Sequence, residues 1–264
     1  MREHERENKE GYKRSTRKYR GVPPRHQRAW EGTTVQLIFE QPAFFSYFPN
    51  LEQVESHHLR ILQRDELFDL SAHSGLRKLK LSSCKIDWWP KLPSNIEMWD
   101  NYDVETPLDI NDQRPKLGEL SKLRFLRFQK TSLPPLIESF LPSTPSRSIT
   151  HLDTRGTSVS PREWNAFDLN AAIVDEHLLN LRELAIGGAD EDLALIQALS
   201  HLRKLEVLSL TGSKITGSLL LDIIKNCRDC LRQITLIDCP DVSAETINWA
   251  RDQGIVTHVR KSGG

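Results

Sequence analysis

The chain has 264 residues, with 36 Lys and Arg against 36 Asp and Glu, so no global basic field exists to draw it onto nucleic acid. No apolar run reaches the length of a membrane span, no signal-peptide core opens the sequence, and four cysteines are too few for a disulfide scaffold. The balance is uneven: residues 1–30 carry ten Lys or Arg and four Glu, leaving the remainder acidic by six.

Residues 1–30 hold almost no aliphatic side chain and cannot build a core, which predicts a basic disordered tail. Within it, Lys13-Arg14-Ser-Thr-Arg17-Lys18-Tyr-Arg20 reads either as a nuclear-import or nucleic-acid patch or as plain solvated surface. From Thr33 to Leu70 the pattern is loose. Val35–Ile38 and Leu51–Val54 look like degenerate strands, with Phe39, Phe44, Phe45, Tyr47 and Phe48 able to plug an open core between them.

Six segments then share one template, L-x-x-L-x-L-x-x-(small polar). They begin at Leu76, Leu123, Ile149, Leu181, Leu205 and Leu231, and the last five starts are spaced by 26, 32, 24 and 26 residues. Positions four and six alternate with polar residues, which predicts short strands with one buried face. The ninth position turns the chain, and Cys84, Thr131, Thr157, Ser213 and Cys239 can hydrogen-bond to the backbone there; Ala189 cannot. Between Ile86 and Leu117 regularity fades. Leu92–Trp99 suggests one short unit, Trp88-Trp89 suits packing on the opposite side, and a Pro/Asp/Asn-rich loop runs from Val104 to Pro115. Beyond residue 130 the return segments read as helices near Ser160, over Asp190–Leu199 and over Gly217–Cys227, with a last one capped by Ser243.

The template is the signature of a leucine-rich repeat. It predicts an α/β solenoid over 31–264, irregular at 31–70 and 87–117. Such a solenoid is curved, with parallel strands on the concave face and helices on the convex face. Positions three, five and seven then face the concave side. They present Lys78, Lys80, Phe125, Arg127, Gln129, His151, Asp153, Arg155 and Glu183, followed by a blander Ser, Thr and Val surface. Arg and aromatic residues favour an interface hot spot, whereas Arg127, Asp153 and Arg155 could equally pair across strands on a solvated surface. On the first reading, reversing the charge of Arg127 and Arg155 together removes binding and leaves stability unchanged.

Cys227-x-x-Cys230 with Cys239 has the spacing of a zinc site but lacks a fourth ligand, and two of these cysteines already fit the template. Thr211-Gly-Ser-Lys214 lacks the glycine and the Gly-Lys pair of a phosphate loop. No hydrolase elbow, zinc-protease motif or dinucleotide fingerprint is present, so no catalytic residue, metal or cofactor is assigned and the chain is not expected to be an enzyme.

From Leu219 to Val259 a helix ends in Asn226-Cys227, a strand follows, and Asp238-Cys239-Pro240 leads into another helix. This resembles the cysteine-containing repeats of ribonuclease-inhibitor-like and F-box/leucine-rich-repeat proteins, tightly over 205–260 and loosely over 35–260. The resemblance implies a protein-binding arc, in the F-box case the substrate receptor of a cullin-based ubiquitin ligase, working in the cytoplasm or nucleus. Nothing in residues 1–50 resembles an F-box, so a cullin adaptor is expected only if one lies upstream. The alternative is a ligase-independent scaffold or regulator.

Overall fold

The computed structural model describes residues 50–57, 60–61, 69–86, 90–105, 120–131, 148–156, 173, 178–187, 198–199 and 201–261. All of them lie in the unit Thr34–Gly264. The basic tail, the strand at Val35–Ile38, the aromatic plug, Trp88-Trp89, the helix near Ser160, most of the helix at 190–199 and template positions Thr157 and Ala189 lie outside the described residues.

The chain is α/β, dominated by a nine-stranded parallel sheet. Its strands are β1 (Gln53–His57), β3 (Lys78–Ser82), β5 (Met98–Tyr102), β6 (Phe125–Gln129), β7 (His151–Asp153), β8 (Glu183–Gly187), β9 (Val207–Thr211), β10 (Gln233–Ile237) and β11 (Val256–Arg260), side by side in chain order. Two dipeptides, β2 (Arg60–Ile61) and β4 (Lys85–Ile86), form a separate parallel ribbon. Every template strand is in register with its neighbours. Leu79, Trp99, Leu126, Leu152, Leu184, Leu208 and Ile234 make one row across seven strands. All are buried, as are Leu81, Phe128, Ile186, Leu210 and Leu236 two residues on. A fully buried Leu or Ile contributes roughly 1.5–3 kcal/mol, and no strand could bury its row without the strand beside it.

β5 falls in the stretch expected to be irregular, yet it pairs fully with β3 and β6. It departs from the template in side chains rather than backbone. Trp99 replaces the fourth-position leucine and meets Phe128 edge-on at 5.3 Å. Asn101 replaces the sixth-position leucine and is fully buried.

Two features of the turns recur. The eighth template residue takes a left-handed backbone at Ser83, Asp103, Lys130, Gly156, Gly212 and Asp238, with φ between 50° and 63°. Its amide donates to the carbonyl of the next strand, as in Ser83 to Tyr102 at 2.9 Å and Gly212 to Ile237 at 2.8 Å. The ninth residue then turns inward and donates to backbone, as expected. Cys84 Sγ reaches Ser82 O at 3.2 Å, Thr131 Oγ1 reaches Gln129 O at 3.1 Å, and Cys239 Sγ reaches Ile237 O at 3.5 Å. Ser213 instead accepts the Ile215 amide at 3.1 Å. Upstream of the template, tight turns close on buried leucines: the Leu123, Leu181 and Leu205 amides donate to Leu120, Leu178 and Leu202.

Two helices are described over their full length. Helix α1 (Gly217–Asn226) is capped by Thr216, whose side chain accepts from the Leu219 amide, and buries Leu220, Ile223 and Ile224. Helix α2 (Ala244–Asp252) is capped by Ser243, which accepts from Thr246 at 3.2 Å. The two helices touch. A Cβ added at Gly217 would come within 2.5 Å of Thr246 Oγ1, so any larger residue at that crossing would force the Thr246 side chain to move. No helix among the described residues is long and apolar enough to cross a membrane.

Candidate functional site

Because side chains alternate along a strand, positions three, five and seven stand on the face opposite the leucine rows. The register aligns them across the sheet. One row runs Lys78, Met98, Phe125, His151, Glu183, Val207, Gln233 and Val256; the next runs Glu55, Lys80, Asp100, Arg127, Asp153, Ala185, Ser209, Thr235 and His258. Gln129 lies beyond, beside Tyr102. Eight of the nine residues expected on this face are therefore on it; Arg155 lies two residues beyond the end of β7, its guanidinium on Asp153.

The second row alternates in sign through its first half, Glu55, Lys80, Asp100, Arg127 and Asp153, and then runs through small neutral residues, Ala185, Ser209 and Thr235, to His258. The first half is laced together. Arg127 grips Asp100 with both prongs of its guanidinium, Nε to Oδ1 at 2.8 Å and Nη2 to Oδ2. Arg155 grips Asp153 in the same way at 3.0 and 2.6 Å, and the Arg155 amide adds a third bond at 3.1 Å. The Asp100 side chain is only 8% exposed and that of Asp153 only 14%. Hydrogen bonding to Asp100 outweighs burial and raises the Arg127 pKa above its usual value; the bond to Asp153 does the same for Arg155, against the opposing charge of Arg127.

This corrects the pairing suggested by the sequence. Arg127 makes no ion pair with Asp153, which is held by Arg155, although the Asp153 charge still acts on it. Its partner is Asp100, on a strand where no site residue was expected. Lys80 lies a looser 3.9 Å from Glu55. Lys78 is exposed at the start of β3.

Around the ion pairs sits an aromatic cluster. The Phe125 and His151 rings are 5.7 Å apart, and the Arg127 guanidinium lies 5.5 Å from the centre of the Phe125 ring. His151 is held from both sides, with Nε2 3.1 Å from Glu183 Oε1 and Nδ1 2.7 Å from Thr150 Oγ1. Tyr102 is one of the few large apolar side chains left exposed among the described residues, with the Lys130 ammonium 5.5 Å from its ring centre. Sequence reasoning missed Asp100 and Tyr102, although the suggested unit ending at Trp99 would have put both on this face. From the middle of β8 onward the face carries the small side chains of Ala185, Gly187, Ser209, Thr211 and Thr235. The Ser209 and Thr211 hydroxyls there are buried without a hydrogen-bond partner.

The Asp100 and Asp153 carboxylates are tied to arginines, while Glu183 and the Thr150 hydroxyl hold the His151 ring between them. Among the described residues no three His, Cys, Asp or Glu side chains converge as metal ligands. The cysteines near α1 point into the fold: Cys227 Sγ donates to Leu199 O at 3.5 Å and Cys230 Sγ to Cys227 O at 3.3 Å. Burial, with a smaller push from Cys230, moves the Cys227 thiol up to about 12, away from the thiolate that metal binding needs.

No protein-family model matches the chain, and no curated protein matches it in sequence.

Proposed function

We propose that the chain is a leucine-rich-repeat recognition module that binds a protein partner on the outward face of its sheet. The observation that carries this reading is the Phe125, His151 and Arg127 cluster, with the Tyr102 and Lys130 pair farther along the strands. An aromatic and arginine group of this kind is the composition of an interface hot spot. The ion pairs hold the arginine in place beforehand, so little side-chain freedom is lost on binding. The repeat assignment is supported by equal register at every template position and by the recurrent left-handed turn. The inward thiols of Cys227 and Cys239 fit the cysteine-containing subclass. By that resemblance the partner is a ubiquitylation substrate and the module an F-box/leucine-rich-repeat-like receptor working inside the cell; a ligase-independent scaffold is the alternative.

The double reversal Arg127→Glu with Arg155→Glu is a poor test of this proposal. Each arginine neutralises a largely buried carboxylate, and stripping one partner from a buried pair costs about 3–5 kcal/mol, with partial exposure of the arginines reducing that figure. Lost binding would then report lost structure. Phe125→Ser with Lys78→Glu is cleaner, since neither removes the partner of a buried charge. The tagged chain is purified from its native cell in both forms and co-purifying proteins are identified by mass spectrometry. The expected outcome is a partner retained by the wild type and lost by the double variant at matched melting temperature. Co-purification of a cullin and its adaptor supports the receptor form, and a partner without them the scaffold. An identical partner set for both proteins refutes the outward-face proposal.

A further inference from the structure

The edge of the sheet where the strands begin carries a second feature, separate from the aromatic face. The second template residues line up there. The Arg124 amide donates to Glu97 O at 2.9 Å, Thr150 to Arg124 O at 2.9 Å, and Arg182 to Thr150 O at 2.8 Å. The tight turns before β6 and β9 add Lys122 and Lys204 alongside. Together these residues line an open cleft of about 520 Å³, within the usual size range of ligand sites.

Its charge is one-sided. Lys122, Arg124, Arg182 and Lys204 face it against a single carboxylate, Glu97, which sits 3.7 Å from Arg77 outside the cleft. Arg182 shares Glu206 at 2.9 Å, and Lys204 donates to Asn180 Oδ1 at 2.5 Å. Lys122 and Arg124 have no acidic partner among the described residues. The Arg124, Thr150 and Arg182 amides are committed to the neighbouring strand, so at these positions an incoming anion meets side chains.

Spacing narrows the ligand. Neighbouring strands lie about 4.8 Å apart, which puts Arg124 and Arg182 roughly 10 Å apart and Lys122 and Lys204 roughly 14 Å apart. A single phosphate cannot span such a row. An extended peptide advances about 3.4 Å per residue, so acids three or four positions apart would meet successive cations. Guanidinium forks would take the carboxylates two-pronged.

We propose that this cleft binds an extended acidic peptide segment of a protein partner, running across the starts of β6 to β9. The proposal goes beyond the outward-face reading and does not depend on it.

The test measures binding of a fluorescein-labelled hexapeptide of alternating glutamate and aspartate to the full chain by anisotropy, over a range of salt. A hexaglutamine peptide serves as control. Expected are saturable binding of the acidic peptide alone, weakening as salt rises, and a loss of about tenfold or more in Lys122→Glu with Arg124→Glu. Both side chains lack an ion-pair partner among the described residues, so the variant should melt as the wild type does. Arg182→Gln with Lys204→Gln should also weaken binding, whereas Phe125→Ser should leave it unchanged. Undiminished affinity in both edge variants, equal binding of hexaglutamine, or loss in Phe125→Ser alone would each overturn the proposal. Tighter binding of inorganic tripolyphosphate than of the peptide would show a compact-anion site and overturn it as well.

Discussion

Replacing Asn101 with leucine is expected to make the protein more stable. Asn101 is fully buried in the row where β3 and β6 place Leu81 and Phe128. Its Oδ1 accepts the Trp99 indole N–H at 3.2 Å, while its Nδ2 has no partner. Turning the amide over would set a donor against the indole donor, so one end stays unsatisfied either way. A buried unsatisfied donor costs about 1–3 kcal/mol, and a buried leucine contributes roughly 1.5–3 kcal/mol. Against this stand the loss of the Oδ1 acceptor by the buried Trp99 indole N–H, about 1–3 kcal/mol, and the larger bulk of leucine beside Trp99 and Phe128. The balance favours the leucine variant by about 1 kcal/mol. For a chain of this size each kcal/mol moves the melting temperature by roughly 2–4 °C. Asn101→Leu should therefore melt a few degrees higher by calorimetry, and its urea midpoint should rise with the slope unchanged. A fall of similar size would mean that the Asn101 amide is satisfied in solution and that β5 is built around a polar core position.

Two further outcomes follow from the turns and the thiols. Gly212 has φ of 59° and a Cβ there would meet nothing within 4 Å, so Gly212→Ala isolates the cost of the left-handed backbone. Chemical denaturation should show a loss of about 1 kcal/mol, and an unchanged midpoint would refute the turn geometry. Cys227 is raised by burial from 9.0 to about 12, so above pH 9 the unfolded chain gives up a proton that the folded chain keeps. Stability should fall as pH rises from 9 towards 12, by about 1 kcal/mol at pH 10, relative to the Cys227→Ala variant at each pH. Parallel pH profiles for the two proteins would place Cys227 in a more solvated site.

Alternation of apolar and polar residues is a property of two neighbours on one strand, so it is readable locally. That is why the strands, their buried leucines, the outward side chains and the Thr-, Ser- and Cys-based turns were legible residue by residue. The turn leucines Leu120, Leu178 and Leu202 were equally local but lay one step upstream of the template. The left-handed eighth position was obscured because only some copies use glycine; Lys130 and Ser83 give no sign of positive φ. β5 was half-hidden because Trp99 and Asn101 occupy leucine positions, and Asp100 and Tyr102 were hidden with it.

By itself, the order of residues determined which positions face the core and which face outward, since strand geometry allows no other assignment once leucines recur at positions four and six. Only the tertiary structure decided which outward residues bind one another. Arg127 has a carboxylate on the strand to either side, and it takes Asp100 while Arg155 holds Asp153. The basic cleft has the same origin. Lys122, Arg124, Arg182 and Lys204 lie up to 82 residues apart in the chain, and stacking parallel strands in register brings their charges to one edge.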